Sequence, residues 1–150
     1  MPGKSETAKT IPSGAKIIYF TSGLFSFADL TRFELADIPQ TPFFKWLQSL
    51  ERPEVKFLLL DPFVIKDDYQ VELDDVLIAE LEIAQPDDVI IYTTVTVPSA
   101  GLQEATTNLV GPIVINWKRG KGKQVIIAGA DENVKYPIAR GYLAKASNGG

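Results

Sequence analysis

Paired carboxylates are the catalytic candidates that the composition of this chain leaves. The 150 residues contain no His and no Cys, so the commonest general base, the commonest proton shuttle and the thiolate nucleophile are all missing. No Ser lies in a Gly-x-Ser-x-Gly context, and no phosphate-binding glycine loop of the Walker or dinucleotide type is present. Gly120-Lys121-Gly122-Lys123 is too short for a phosphate cradle and reads as a solvated turn. The adjacent acids Asp67/Asp68, Asp74/Asp75 and Asp87/Asp88 remain. On a strand, neighbours point to opposite faces and cannot share a site. A calcium loop needs acids at alternate positions around a central Gly, and that spacing is absent. The expectation is a protein with no catalytic residues, no cofactor site and no metal site.

Those acids have a second meaning as a group. Between Asp61 and Asp88 stand ten acidic residues against Lys66 alone, a net charge of −9, whereas the whole chain is −4 and the remainder therefore carries +5. The acidity is local. One reading is a solvated face that maintains solubility. The other is a docking surface for a basic protein, centred on Asp67, Asp68, Glu72, Asp74 and Asp75, with Tyr69 as an aromatic anchor. Tyr69 has a competing role as support beneath its loop.

The elements that must position this segment are mostly strands. Lys16 to Phe20, Thr31 to Ile38 and Val89 to Val97 are short apolar or alternating runs bounded by Gly, Ser and Pro. Leu24, Phe25 and Phe27 follow the first of them and are expected to fold back as a plug on the core. Phe43, Trp46, Leu47 and Leu50 have helical spacing, yet Trp46 to Ser49 equally suits a strand. Val55 to Leu60 is a continuous apolar run of the kind buried on both faces. Asp74-Asp75 ahead of Val76, Leu77, Ala79, Glu80 and Leu81 predicts a short helix with acids in its first turn, stopped by Gln85-Pro86-Asp87-Asp88.

Ile113 to Ile115 and Val125 to Ile127 flank a basic turn, Lys118 to Lys123, as a β-hairpin does. Pro112 can open its first strand without losing a ladder bond, while Gly120 and Gly122 can supply positive φ. Asn108 and Asn116 are expected to bond neighbouring backbone at turns and strand ends. The tally of short strands with one or two short helices predicts a mainly β domain, a compact antiparallel small barrel or sandwich. Residues 1–15 read as a flexible arm, 16–143 as a single domain, and 144–150 as a flexible tail. No apolar run approaches the ~18 residues of a membrane span, and the absence of Cys fits a reducing compartment.

Several blocks of this sequence resemble one family. Asn108-Leu109, Pro112-Ile113-Val114-Ile115-Asn116 and Lys123-Gln124-Val125-Ile126-Ile127 resemble the signature of the flagellar assembly factor FliW family. Gly23-Leu24-Phe25-Ser26-Phe27, Leu47-Gln48-Ser49 and Phe57-Leu58-Leu59-Leu60-Asp61-Pro62 with Tyr69 occur in the family's order. This chain has Phe25 and Ser26 where the family pattern carries Pro and Gly. The resemblance implies a strand for Leu47-Gln48-Ser49, paired with Val55 to Leu60 across Glu51-Arg52-Pro53-Glu54.

It further implies a non-enzymatic cytoplasmic regulator. FliW-like proteins bind the RNA-binding translational regulator CsrA and relieve its repression of flagellin synthesis, and they alternately bind flagellin itself. An acidic surface suits that role, since it attracts a basic partner and repels RNA phosphates. On this reading no nucleic acid or membrane is contacted directly, and a monomer is the default state when free. A separate reading of the residues is a small β-barrel that binds single-stranded nucleic acid through Lys118 to Lys123, with Trp117 as a stacking partner.

Overall fold

The structure is a computed structural model that describes residues 14–24, 27–129 and 131–139. Nine strands appear in chain order: β1 (Ala15–Tyr19), β2 (Arg32–Asp37), β3 (Phe44–Ser49), β4 (Lys56–Leu60), β5 (Val89–Thr96), β6 (Thr106–Thr107), β7 (Ile113–Asn116), β8 (Lys121–Gln124) and β9 (Tyr136–Pro137). A short helix, α1 (Asp75–Glu80), lies between β4 and β5. Of the two architectures open to the sequence, the fold is the barrel.

Seven strands close on themselves in the order β4-β3-β2-β1-β8-β7-β5, and β5 returns to β4. Closure removes the exposed edges that an open sheet of this length would present. β1 to β4 form an antiparallel meander whose register aligns Leu35 with Leu47 and Leu47 with Phe57. β5 is long enough to serve three neighbours: Val89–Tyr92 pairs with β7, Leu58–Leu60 pairs with Thr93–Val95, and Val95–Thr96 pairs with β6. β6 and β9 add a small flap there. One junction is parallel rather than antiparallel, the single pair Tyr19 with Lys121 that joins β1 to β8.

Ile18, Phe20, Phe33, Leu35, Leu47, Leu59, Ile90, Tyr92, Ile113 and Ile115 fill the barrel. The alternation of strands explains why: these positions share one face of each strand. Phe20 and Phe33 meet edge to face, with centroids 5.5 Å apart. Leu24 and Phe27 do plug the core, Phe27 stacking edge to face on Phe57 at 5.8 Å; Phe25 and Ser26 lie outside the described residues. Leu59 and Leu60 are both wholly buried, but Lys56 is exposed and Phe57 and Leu58 are half-buried, so the run expected to be buried on both faces is so only at its end. Trp46 sits in a strand, so helical spacing was accidental there and cross-strand pairing with Leu58 decided the outcome.

Two sequence expectations shift. The hairpin exists, but its turn is residues 117–120 and its second strand is Lys121–Gln124, so half of the basic run is strand. Gly120 has φ +68° and supports the turn. Gly122 instead is a strand residue whose missing side chain makes room for the Phe20 ring, since a Cβ there would lie 2.8 Å from Phe20 Cζ. Helix α1 also ends earlier than Gln85. Leu81 caps it and Glu82 follows with φ +56°, after which Pro86–Asp88 forms a separate 3-10 turn.

Candidate protein-binding surface

The acidic segment crosses the outside of the barrel. It begins at Asp61, whose carboxylate accepts the Phe63 N–H at 3.0 Å and caps a 3-10 turn. Lys66 then pairs with Asp68 at 3.0 Å. Asp74 is the N-cap of α1 and accepts the Leu77 N–H at 2.8 Å. The helix buries Leu77 and Leu81 against Val89 and Val114, on the outer face of β5 and β7. A six-residue helix has little stability of its own, so this apolar contact holds it.

Past the helix the segment meets the basic hairpin, and the two neutralise each other. Lys118 pairs with Asp88 at 2.9 Å, Lys123 pairs with Glu80 at 2.9 Å, and Glu82 takes both Lys121 and, at 3.9 Å, Arg119. The Lys118 ammonium, then the Ala84 and Gln85 amides, hold the Asp88 carboxyl down to about 2. Lys121 does the same for Glu82 in direction. All four cations of the turn region are therefore engaged by carboxylates of their own chain. That arrangement counts against the nucleic-acid reading of Lys118 to Lys123, because the phosphate charge they would meet is already supplied.

Asn116 locks the same junction and is wholly buried. Its Nδ2 donates to the carbonyls of Leu81 and Glu82, and its Oδ1 accepts the N–H groups of Lys118 and Arg119. Asn108 likewise accepts the Val110 and Gly111 N–H groups. Both asparagines do the local work expected of them.

The candidate surface residues divide. Asp67, Asp68, Glu72, Asp74 and Asp75 are exposed along one continuous stretch of chain. Tyr69 is not an exposed anchor: it is 8% exposed, stacks near Phe63 and donates its hydroxyl to the Leu109 carbonyl. Burial pushes its hydroxyl up to about 12. It is the support beneath the loop, and Phe63, 38% exposed beside it, is the aromatic that faces outward. None of the adjacent acid pairs lies on a strand. Asp67 and Asp68 occupy a turn, Asp74 and Asp75 start a helix, and of the third pair Asp88 is buried while Asp87 is exposed. Among the described residues no group of three or more potential ligands is placed to hold a metal ion, and no helix is long and apolar enough to cross a membrane.

The coupling between acidic segment and hairpin was not anticipated. Its signal was present in the charges, a strongly negative run and a four-cation turn in one small domain, but their pairing is a matter of topology. A second pair carries no signal in the sequence: the buried Lys45 with the part-exposed Asp37.

Comparison with known proteins gives a consistent result. The family model described as FliW protein matches residues 5–138. The chain is 39% identical over 122 residues to the flagellar assembly factor FliW of Moorella thermoacetica, covering 81% of this chain and 77% of that protein. It is 39% identical over 123 residues to that of Treponema pallidum, covering 82% and 81% respectively. A crystal structure of a flagellar assembly factor FliW superposes with a TM-score of 0.74 at 33% identity, covering 81% of this chain and 84% of that one.

Proposed function

The chain belongs to the FliW family of flagellar assembly factors, and from that premise we propose that it is a non-enzymatic cytoplasmic regulator acting through protein contacts. It binds a CsrA-type RNA-binding translational regulator, relieves repression of flagellin translation, and alternately binds flagellin. The regulator docks on the acidic margin from Asp67 to Asp75.

One observation carries this reading. Glu80, Glu82 and Asp88 are taken up by the hairpin cations, whereas Glu72 and Asp75 are exposed and, among the described residues, pair with no Lys or Arg. Negative charge that the fold leaves unpaired can steer a basic partner and disfavour RNA beside it. Phe63 supplies apolar area next to that charge.

The test is calorimetric titration with the organism's CsrA-type regulator and with its flagellin, each at low and physiological salt. The informative variant is Glu72→Lys combined with Asp75→Asn, which spares the Asp74 cap. Binding to both partners, with the variant weakened for the regulator alone and its melting temperature retained, supports the proposal. Absence of binding to either partner, or regulator association indifferent to salt, overturns it.

A further inference from the structure

The hairpin from Trp117 to Gln124 carries Lys118, Arg119, Lys121 and Lys123 and no acid, in a chain whose total charge is −4. On β8, Lys121 and Lys123 alternate with Gly122, which faces the Phe20 ring, so both lysines project from the outside of the barrel. Residues two apart on a strand stand about 7 Å from each other, close to the repeat of phosphates along an extended single strand. Four cations on one short element are the electrostatic footprint by which a protein holds such a backbone.

In this fold the footprint is covered. Glu80, at the end of α1, takes Lys123 at 2.9 Å, Glu82 takes Lys121 and, at 3.9 Å, Arg119, and Asp88 takes Lys118 at 2.9 Å. Three carboxylates thus stand where phosphates would. Asp88 is buried and also accepts the Ala84 and Gln85 N–H groups, so it belongs to its own turn. Glu80 and Glu82 differ. Helix α1 already has its apolar contact through Leu77 and Leu81, and Asn116 ties down the carbonyls beyond it. Exposed ion pairs add little to stability, and Glu82 holds φ +56°, a conformation that disfavours any side chain. Stability alone does not account for carboxylates at these two positions; what they share is that both lie across the hairpin cations.

We propose that Glu80 and Glu82 form an autoinhibitory cover on a latent site for single-stranded nucleic acid, made by Arg119, Lys121 and Lys123. The covered site reads backbone charge and not bases. Trp117 packs on the core, its indole N–H is bonded to the Asp87 carbonyl at 3.1 Å, and Lys118 lies over its ring at 5.6 Å, so its ring is already occupied and offers no stacking platform. The inference rests on the ion pairs, and it stands whether or not the margin from Asp67 to Asp75 binds the regulator.

Fluorescence anisotropy of a labelled oligouridylate, titrated with protein at low salt, tests it. Glu80→Gln/Glu82→Gln is expected to bind about tenfold or more tighter than the unchanged chain, and to lose that gain when Lys121→Met/Lys123→Met is added. Glu72→Gln/Asp75→Asn removes as many negative charges away from the hairpin and is expected to change little. Melting temperature checks that each variant is folded; Glu80→Gln and Glu82→Gln alone, each with a smaller gain, serve if the pair is not. No gain on uncovering the cations, an equal gain in Glu72→Gln/Asp75→Asn, or a gain that persists without Lys121 and Lys123 each overturns the proposal.

Discussion

Asn116, at the end of β7, donates Nδ2 to the carbonyl of Leu81 at 2.8 Å, joining residues 35 positions apart. Leu81 is the C-cap of α1, so this bond ties a helix end to a hairpin turn. With Glu82 and the N–H groups of Lys118 and Arg119, the carboxamide meets two donors and two acceptors. Asn116→Ala leaves buried carbonyls unsatisfied, and the expected loss is about 2–3 kcal/mol in urea unfolding. A loss below about 0.5 kcal/mol, the range of ordinary surface changes, contradicts the assignment of this residue as the junction.

Glu82 takes φ +56° just past the helix, where Gly is the usual occupant. Its side chain holds Lys121 and Arg119, which accounts for a carboxylate in a backbone conformation that penalises it. Glu82→Gly and Glu82→Ala lose the same ion pairs, yet only Gly relieves the backbone. Equilibrium denaturation should therefore find the Gly variant more stable than the Ala variant by about 1 kcal/mol.

Tyr69→Phe removes one buried hydroxyl that donates to Leu109. The expected result is a stability loss of about 1–2 kcal/mol, with affinity for a CsrA-type regulator unchanged when measured well below the melting temperature. Lost affinity at full stability would return Tyr69 to the interface.

Gly122→Ala places a methyl group against the ring of Phe20, which is itself wholly buried. Overpacking of this kind costs about 1–3 kcal/mol. The double variant Gly122→Ala/Phe20→Leu should lose less than the two single losses added together, because the smaller side chain vacates the space; additivity would deny the contact.

Acid should destabilise the fold in a defined window. Asp88 is held at about 2 against an ordinary 3.8, and Asp37 and Glu82 are displaced downward as well. Each binds its proton less readily when folded, so the unfolded chain protonates first as the pH falls. The stability these groups supply is complete above their ordinary values and drains as pH drops through the folded ones. Urea midpoints measured through the acid range should fall there, and Asp88→Asn should flatten the fall.

Much of this architecture was legible because period-two patterning and Pro or Gly punctuation are local. β1, β2 and β5 lie where their apolar, alternating or β-branched runs placed them, within a residue or two. The hairpin register was not legible in the same way. Gly122 looks like a turn residue until Phe20, a hundred positions earlier, is known to need its space. The helix stop is similar, since Glu82 is tolerated at positive φ only through partners on the hairpin. For the candidate surface, exposure of Asp67 to Asp75 followed from charge alone, while the burial of Tyr69 depended on a carbonyl at Leu109.

The parallel contact between Tyr19 and Lys121 is also where the ring closes. Strands β1 to β4 can pair as neighbours as soon as they are synthesised, because their contacts are short in sequence. The ring itself waits for β8, more than a hundred residues after β1 began. Until the hairpin is present the ring cannot close, and the margin of β1 that β8 covers has no strand beside it.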